Sequence, residues 1–262
     1  IFYFLISYIC NEHKNLFALI FSIIYFIGYP LNSMIFGFFY SGHVVTLICT
    51  LILLYKFFDS KKINYKLILI LLTITNIGIC FTYYLYLPIL VICETIYFIY
   101  LKRTKQIDKS NLIKMFLLII ILPTILTLSY FVLPYIGNNQ HSAFYQLSLD
   151  GYFYNSYFSN FILFIPIIVY YIISMVKEKK LNFEMILLFN IVGFIIIIII
   201  LSIMNIAMQY YASKFFYALW LINFILIFDF YVKNDFKKLY LNIYIASFLL
   251  IFIFTVFSIE DK

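Results

Sequence analysis

In "QYYASKFFYALW", residues 209–220, one lysine stands among aromatic side chains at the start of an apolar run. At helical spacing Tyr210, Lys214 and Tyr217 share a face, with Tyr211 beside them. Lysine binds phosphate as a point charge, so an ammonium flanked by tyrosine hydroxyls is suited to hold one. A helix start adds unpaired amides that also favour an anion. The competing reading is a lysine snorkelling to the interface from an aromatic belt.

A second concentration of chemistry lies in "GNNQHSAFYQLSLDGYFYNS", 137–156. His141, Asp150 and several amides stand there among aromatic rings. Amides and a carboxylate hydrogen-bond sugar hydroxyls, and aromatic faces stack on sugar rings. Asp150 has the chemistry of a general base. It also precedes Gly151 in a turn-forming "LDGY", and a solvated loop with interfacial tyrosines needs the same residues.

Glu94, in "ILVICETIYFIY", is an acid inside an apolar run, which is costly and therefore a functional candidate. It stands about two turns from the lysines at 102–105, and a loop lysine is its expected partner. Asp229 and Lys233, at i and i+4, form an expected helix-end ion pair. The cysteines Cys10, Cys49, Cys80 and Cys93 fall in apolar segments without metal-ligand spacing, so they read as small buried hydrophobes, and no metal or cofactor is expected.

The elements that position these residues are membrane spans. The chain is 66% hydrophobic and only 11% charged, and its mean hydropathy is +1.05. Soluble domains carry about 25% charged residues. Continuous apolar runs rather than period-2 alternation select helices over a barrel. The expected fold is all-α, a polytopic transmembrane helix bundle forming a single domain over 1–262. About 8–9 spans are predicted, at 15–31, 34–57, 67–100, 115–136, 157–176, 185–206, 214–232 and 239–258. The opening residues 1–10 read as the end of a truncated span, which predicts a further N-terminal part. Residues 67–100 would make one helix of about 50 Å, too long for one crossing. A break near "CFTYYLYLP", 80–88, turns this stretch into a helical hairpin.

Basic residues cluster at 56–66, 102–114, 177–180 and 233–238. The positive-inside rule puts all four clusters in the cytoplasm of a multi-pass protein of the plasma membrane. The net charge of +7 is thereby an orienting signal and not a nucleic-acid footprint. The turn at 80–86 and the loops 137–156 and 207–213 fall outside, and they contain no Lys or Arg. Lys214 stands at the edge of that outer surface.

Three stretches, "GYPLNSMIFGFFYSG" (28–42), "FTYYLYLPILVI" (81–92) and "YYASKFFYALW" (210–220), give the chain an apolar layout that resembles the multi-span part of bacterial glycosyltransferase C superfamily proteins. The resemblance implies a membrane-embedded enzyme using a polyprenyl-phosphate-linked sugar in cell-envelope polysaccharide assembly. Lys214, Tyr210, Tyr211 and Tyr217, with Asp150 and His141 in the outer loop, would then bind the substrate. That superfamily carries its catalytic acid in the first outer loop, so the resemblance puts the acid upstream of Ile1 and assigns no catalytic residue here. An O-antigen-type polymerase or ligase is the nearest alternative, although the outer loop lacks the arginines such proteins use. A transporter or lipid flippase is another, favoured by polar residues inside spans and by broken helices.

Overall fold

A computed structural model describes residues 39–60, 64–133, 165–178, 181–208 and 210–233, together with Leu19 and Ile136. The expected spans 1–10, 15–31 and 239–258 and the loop 137–156, with His141 and Asp150, lie outside the described residues. What is described is helical, with no strand among the described residues. The helices are α1 (Phe39–Asp59), α2 (Tyr65–Thr82), α3 (Leu87–Arg103), α4 (Lys109–Met115), α5 (Leu122–Thr127), α6 (Ile165–Glu178), α7 (Phe183–Ile203) and α8 (Tyr210–Lys233). A π segment, Phe116–Ile121, joins α4 to α5, and a second, Leu128–Val132, follows α5. Among the described residues, five helical stretches are long and apolar enough to cross a membrane: Gly42–Asp59, Tyr65–Thr82, Tyr84–Arg103, Lys109–Phe131 and Phe183–Ile203.

The break in 67–100 falls where the sequence places it. α2 stops at Tyr83, whose backbone is extended. A 3-10 turn over Tyr84–Tyr86 follows, and α3 begins with Pro88 in its first turn, where its missing N–H costs nothing. Asn76 and Glu94 lie nine residues before and nine after Leu85, yet their side chains are 2.6 Å apart. In one continuous helix they would be separated by about 27 Å. The segment is a hairpin.

Local chemistry fixes the helix ends. The Asn64 side chain accepts from the Lys66 N–H at the start of α2, and Asp108 caps α4 through Asn111. At the other termini α3 and α7 close with left-handed residues, Lys105 (φ 56°) and Asn205 (φ 59°). In each case the next N–H reaches back over the turn, Gln106 to the Leu101 carbonyl and Ile206 to the Leu201 carbonyl.

α1 packs against α2, α7 and α8, while α3 packs against α7. Ile48, Leu51, Leu72, Cys93, Leu188 and Ile222 are among the buried residues of the shared core. The outward stripes Leu67, Ile70 and Ile74 on α2, Ile92, Ile96 and Ile99 on α3, and Ile196, Ile200 and Ile203 on α7 are exposed. Large aliphatics repeating every three or four residues on an outer face suit contact with lipid tails.

The two ends of the bundle differ in chemistry. At one end Lys56 pairs with Glu184, the Tyr97 hydroxyl donates to Asp59, and the Tyr65 hydroxyl donates to the Asn111 carbonyl. These contacts gather the end of α1, the start of α2, the last turns of α3 and the starts of α4 and α7. At the other end Phe81 meets Tyr130, Tyr84 stacks on Phe131, and Tyr83 and Tyr86 meet Phe215. The hairpin tip therefore lies with the start of α8, away from the basic loops.

Candidate functional site

Lys214 sits in the second turn of α8, and its ammonium lies against three tyrosines. Its Nζ is 4.2 Å from the centre of the Tyr210 ring, 5.0 Å from Tyr211 and 5.2 Å from Tyr83. These distances are within cation–π range. Tyr210 and Tyr211 meet edge to face at 5.2 Å, which sets the two rings at an angle around the ammonium. Lys214 is half-buried. Tyr83 was not among the residues that the sequence pointed to, because it comes from the hairpin tip, far away in the chain. Tyr217, expected on the same face, is only 3% exposed and belongs to the core. Phe215 and Phe216, flanking the lysine on its C-terminal side, are also buried. His141 and Asp150 lie outside the described residues, so their distance from Lys214 is not part of this geometry.

The second concentration of polar groups is inside the bundle, around Glu94. Its side chain is 1% exposed. The Tyr55 hydroxyl of α1 donates to Oε1 at 2.9 Å, and the Asn76 amide of α2 donates to the same oxygen at 2.6 Å. The expected loop-lysine partner is replaced by these two neutral donors. Tyr55 and Asn76 lie level with Glu94 in the bundle, whereas Lys102 stands in the last turn of α3 and Lys105 beyond its end. Lys56, the lysine closest in chain to Tyr55, reaches Glu184 at 2.6 Å instead.

Asn76 has a second function in the same place. Its Nδ2 also donates to the Ile119 carbonyl at 3.1 Å. Four residues beyond Ile119 is Pro123, which has no N–H to close an α-helical turn on that carbonyl. The asparagine thus gives one proton to the acid and one to a carbonyl that proline deprives of its helical donor. Both neighbours of Nδ2 are acceptors in this arrangement, which fixes the orientation of the amide. Its Oδ1 is then left buried with no hydrogen-bond partner. Cys80, one turn beyond Asn76 on α2, lies beside Thr127.

Aromatic rings wall this polar centre toward the basic end. Tyr55 stacks on Phe183 at 3.8 Å and meets Tyr97 edge to face at 5.3 Å. Tyr97 is one turn beyond Glu94 on α3, and it carries the polar path on to Asp59, which is exposed. His43, on α1, is exposed and stands apart from this centre in the chain direction. The side chains of Asp229 and Lys233 lie outside the described residues. Among the described residues no cluster of three or more His, Cys, Asp or Glu has the arrangement of a metal centre.

Glu94 was legible as an intramembrane acid. Asn76 was not singled out, although an amide in the middle of "LLTITNIGIC" is the same kind of signal. Glu184 was missed because it directly follows the basic 177–180 cluster and reads there as a loop charge.

No family model, no curated protein and no solved structure matches this chain.

Proposed function

We propose that this chain is a multi-span protein of the cytoplasmic membrane that engages a polyprenyl-phosphate-linked sugar at Lys214, as a glycosyltransferase-like component of cell-envelope polysaccharide assembly. The observation that carries this reading is the position of Lys214. It is a half-buried cation held by Tyr83, Tyr210 and Tyr211 at the bundle end opposite Lys56, Lys66 and Lys102. Tyrosine rings hold the ammonium at the start of α8 against an unfavourable helix dipole. The N-terminal amides of α8 and the tyrosine hydroxyls complement a phosphate bound beside the ammonium. Apolar flanks such as Phe81 and Tyr130 suit a prenyl chain. On this reading the loops 58–66, 101–114, 177–184 and 233–238 are cytoplasmic, the hairpin tip, the loop 137–156 and the start of α8 are external, and the bundle has eight to nine spans. His141 and Asp150 belong to the sugar-binding side of the site.

The test is binding of polyprenyl phosphate to the purified protein in nanodiscs. Lys214→Gln is expected to weaken binding while leaving expression and thermal stability near wild type. Equal binding by wild type and Lys214→Gln would make the cluster an aromatic belt around a snorkelling lysine.

A transporter or lipid flippase is the second reading. It is favoured by the Glu94–Asn76 pair, which puts an acid and an amide inside two membrane-length helices joined at a break. Proton-gradient-dependent movement of a lipid-linked sugar across vesicles distinguishes it from transfer of the sugar to an acceptor.

A further inference from the structure

We propose that Glu94 is a proton-binding site inside the membrane, holding a neutral carboxylic acid at rest and exchanging its proton with water at the basic end of the bundle. The inference is independent of the lipid-phosphate reading, because it concerns a different place in the fold.

The geometry has three parts. First, Glu94 is 1% exposed, and its hydrogen-bond partners are Tyr55 and Asn76, both neutral. Among the described residues no Lys, Arg or His forms an ion pair with it. A bare carboxylate in such surroundings is costly, and the neutral acid avoids that cost. Second, Asn76 Oδ1 is a buried acceptor with no donor, on an amide whose nitrogen already touches Glu94. A carboxylic acid protonated on Oε2 supplies that donor. The acid and the amide then exchange two hydrogen bonds, N–H to Oε1 and O–H to Oδ1. Third, both resolved contacts to Oε1 come from donors. They occupy Oε1 and leave Oε2 as the oxygen that carries the proton.

The charged state is also provided for. When the O–H bond breaks, its electron pair stays on the carboxylate and the proton passes to water as hydronium. Tyr55 and Asn76 remain as donors to the charge. The groups that face Glu94 are Tyr55 from α1, Asn76 and Cys80 from α2 and Cys93 from its own helix. From the helix that bears the π segments, the Ile119 carbonyl meets Asn76 and Thr127 meets Cys80. Toward the basic end Tyr97 stands between this centre and Asp59, with Glu184 nearby and held by Lys56. Asp59, exposed at that end and bonded by the Tyr97 hydroxyl, is the acid that meets water there.

The experiment uses the intact protein in lipid vesicles. Dicyclohexylcarbodiimide, an apolar reagent for protonated carboxyls, is expected to label Glu94 at mildly acidic and neutral pH and to lose that labelling at alkaline pH. Mass spectrometry locates the adduct, which should vanish in Glu94→Gln. Tyr55→Phe removes a donor to the carboxylate and should extend labelling to more alkaline pH. Infrared spectra provide a readout that does not depend on reagent access. Wild type should show the carbonyl band of a buried carboxylic acid, shifted in heavy water and absent from Glu94→Gln. Glu94→Gln keeps an acceptor for both donors and offers an N–H to Asn76 Oδ1, so it should fold with wild-type stability. A missing acid band, or a band that Glu94→Gln leaves unchanged, overturns the proposal and leaves Glu94 as a hydrogen-bonded clasp of the hairpin. Loss of stability in Glu94→Gln also counts against it, since that result means the native group is charged.

Discussion

Lys56 and Glu184 are 128 residues apart in the chain and 2.6 Å apart in the fold. Their side chains are 16% and 5% exposed, so the pair is largely shielded from water. It ties the last turn of α1 to the first turn of α7. Acid in a first helical turn and base in a last turn both complement the helix dipole. Removing one partner strands a buried charge. Glu184→Ala should therefore destabilise by about 3 kcal/mol. The exchange of charges, Lys56→Glu with Glu184→Lys, should recover only part of that loss, because each new charge opposes its helix dipole. Thermal unfolding in detergent measures both.

Asn76 and Pro123 should be coupled, although proline offers no hydrogen bond. Asn76→Ala removes the donors to Glu94 and to the Ile119 carbonyl, at a cost of about 1–2 kcal/mol. Pro123→Ala restores a backbone N–H four residues beyond Ile119, so that carbonyl no longer depends on the asparagine. In the double variant the two effects should fall short of additivity by about 0.5–1 kcal/mol. Strict additivity in a double-mutant cycle would mean that the Asn76–Ile119 contact carries no energy of its own.

Lys105 holds a left-handed backbone at φ 56° where α3 ends. A β-carbon makes that conformation costly by about 1–2 kcal/mol, and glycine adopts it freely. Its Schellman-type bonds to the preceding turn use only backbone atoms, so they survive substitution. Lys105→Gly should raise stability by about 1 kcal/mol, despite removing a charge from a basic loop. Asn205 occupies the equivalent position after α7, and asparagine tolerates it better. Asn205→Gly should accordingly change stability less than Lys105→Gly does.

The main architecture was legible because lipid imposes it. Apolar length and loop charge predict spans at 34–57, 115–136 and 185–206, and helical stretches stand at 39–59, 109–132 and 183–203; equal basic flanks required 67–100 to turn back on itself. The boundaries moved where polar caps rule: α2 begins at Tyr65 and α4 at Lys109, both inside the charged flanks, since Asn64 and Asp108 cap them. The π segments on either side of α5 were not visible in the pattern of apolar residues, which is the same for α and π winding. Side-chain partners were the least legible. Tyr83 reaches Lys214 and Tyr55 reaches Glu94 only after the hairpin and α8 have packed, and no local spacing encodes either contact.

Sidedness is open to a direct measurement. With native cysteines removed, Gln106→Cys in the exposed turn after α3 should resist a membrane-impermeant thiol reagent added from outside and react once the membrane is opened. Tyr145→Cys, in the 137–156 loop, should react from outside. The opposite pattern at both positions would invert the positive-inside assignment and place Lys214 on the cytoplasmic face.

Tyr83 should matter to Lys214 out of proportion to its position. Of the three rings that the described residues set against the ammonium, Tyr83 comes from outside α8, so it couples the hairpin tip to that helix. A cation–π contact of this kind is worth about 0.5–2 kcal/mol. Tyr83→Leu keeps an apolar side chain beside Phe215 but removes the quadrupole facing the cation. Stability should fall by about 1 kcal/mol, and much less when Lys214 is already glutamine. If Lys214 also holds a lipid phosphate, Tyr83→Leu should weaken polyprenyl phosphate binding while Tyr217→Phe, deeper in the core, leaves it unchanged. Equal losses in binding from both tyrosine variants would mean that packing of α8 as a whole, rather than the rings around the ammonium, sets the affinity.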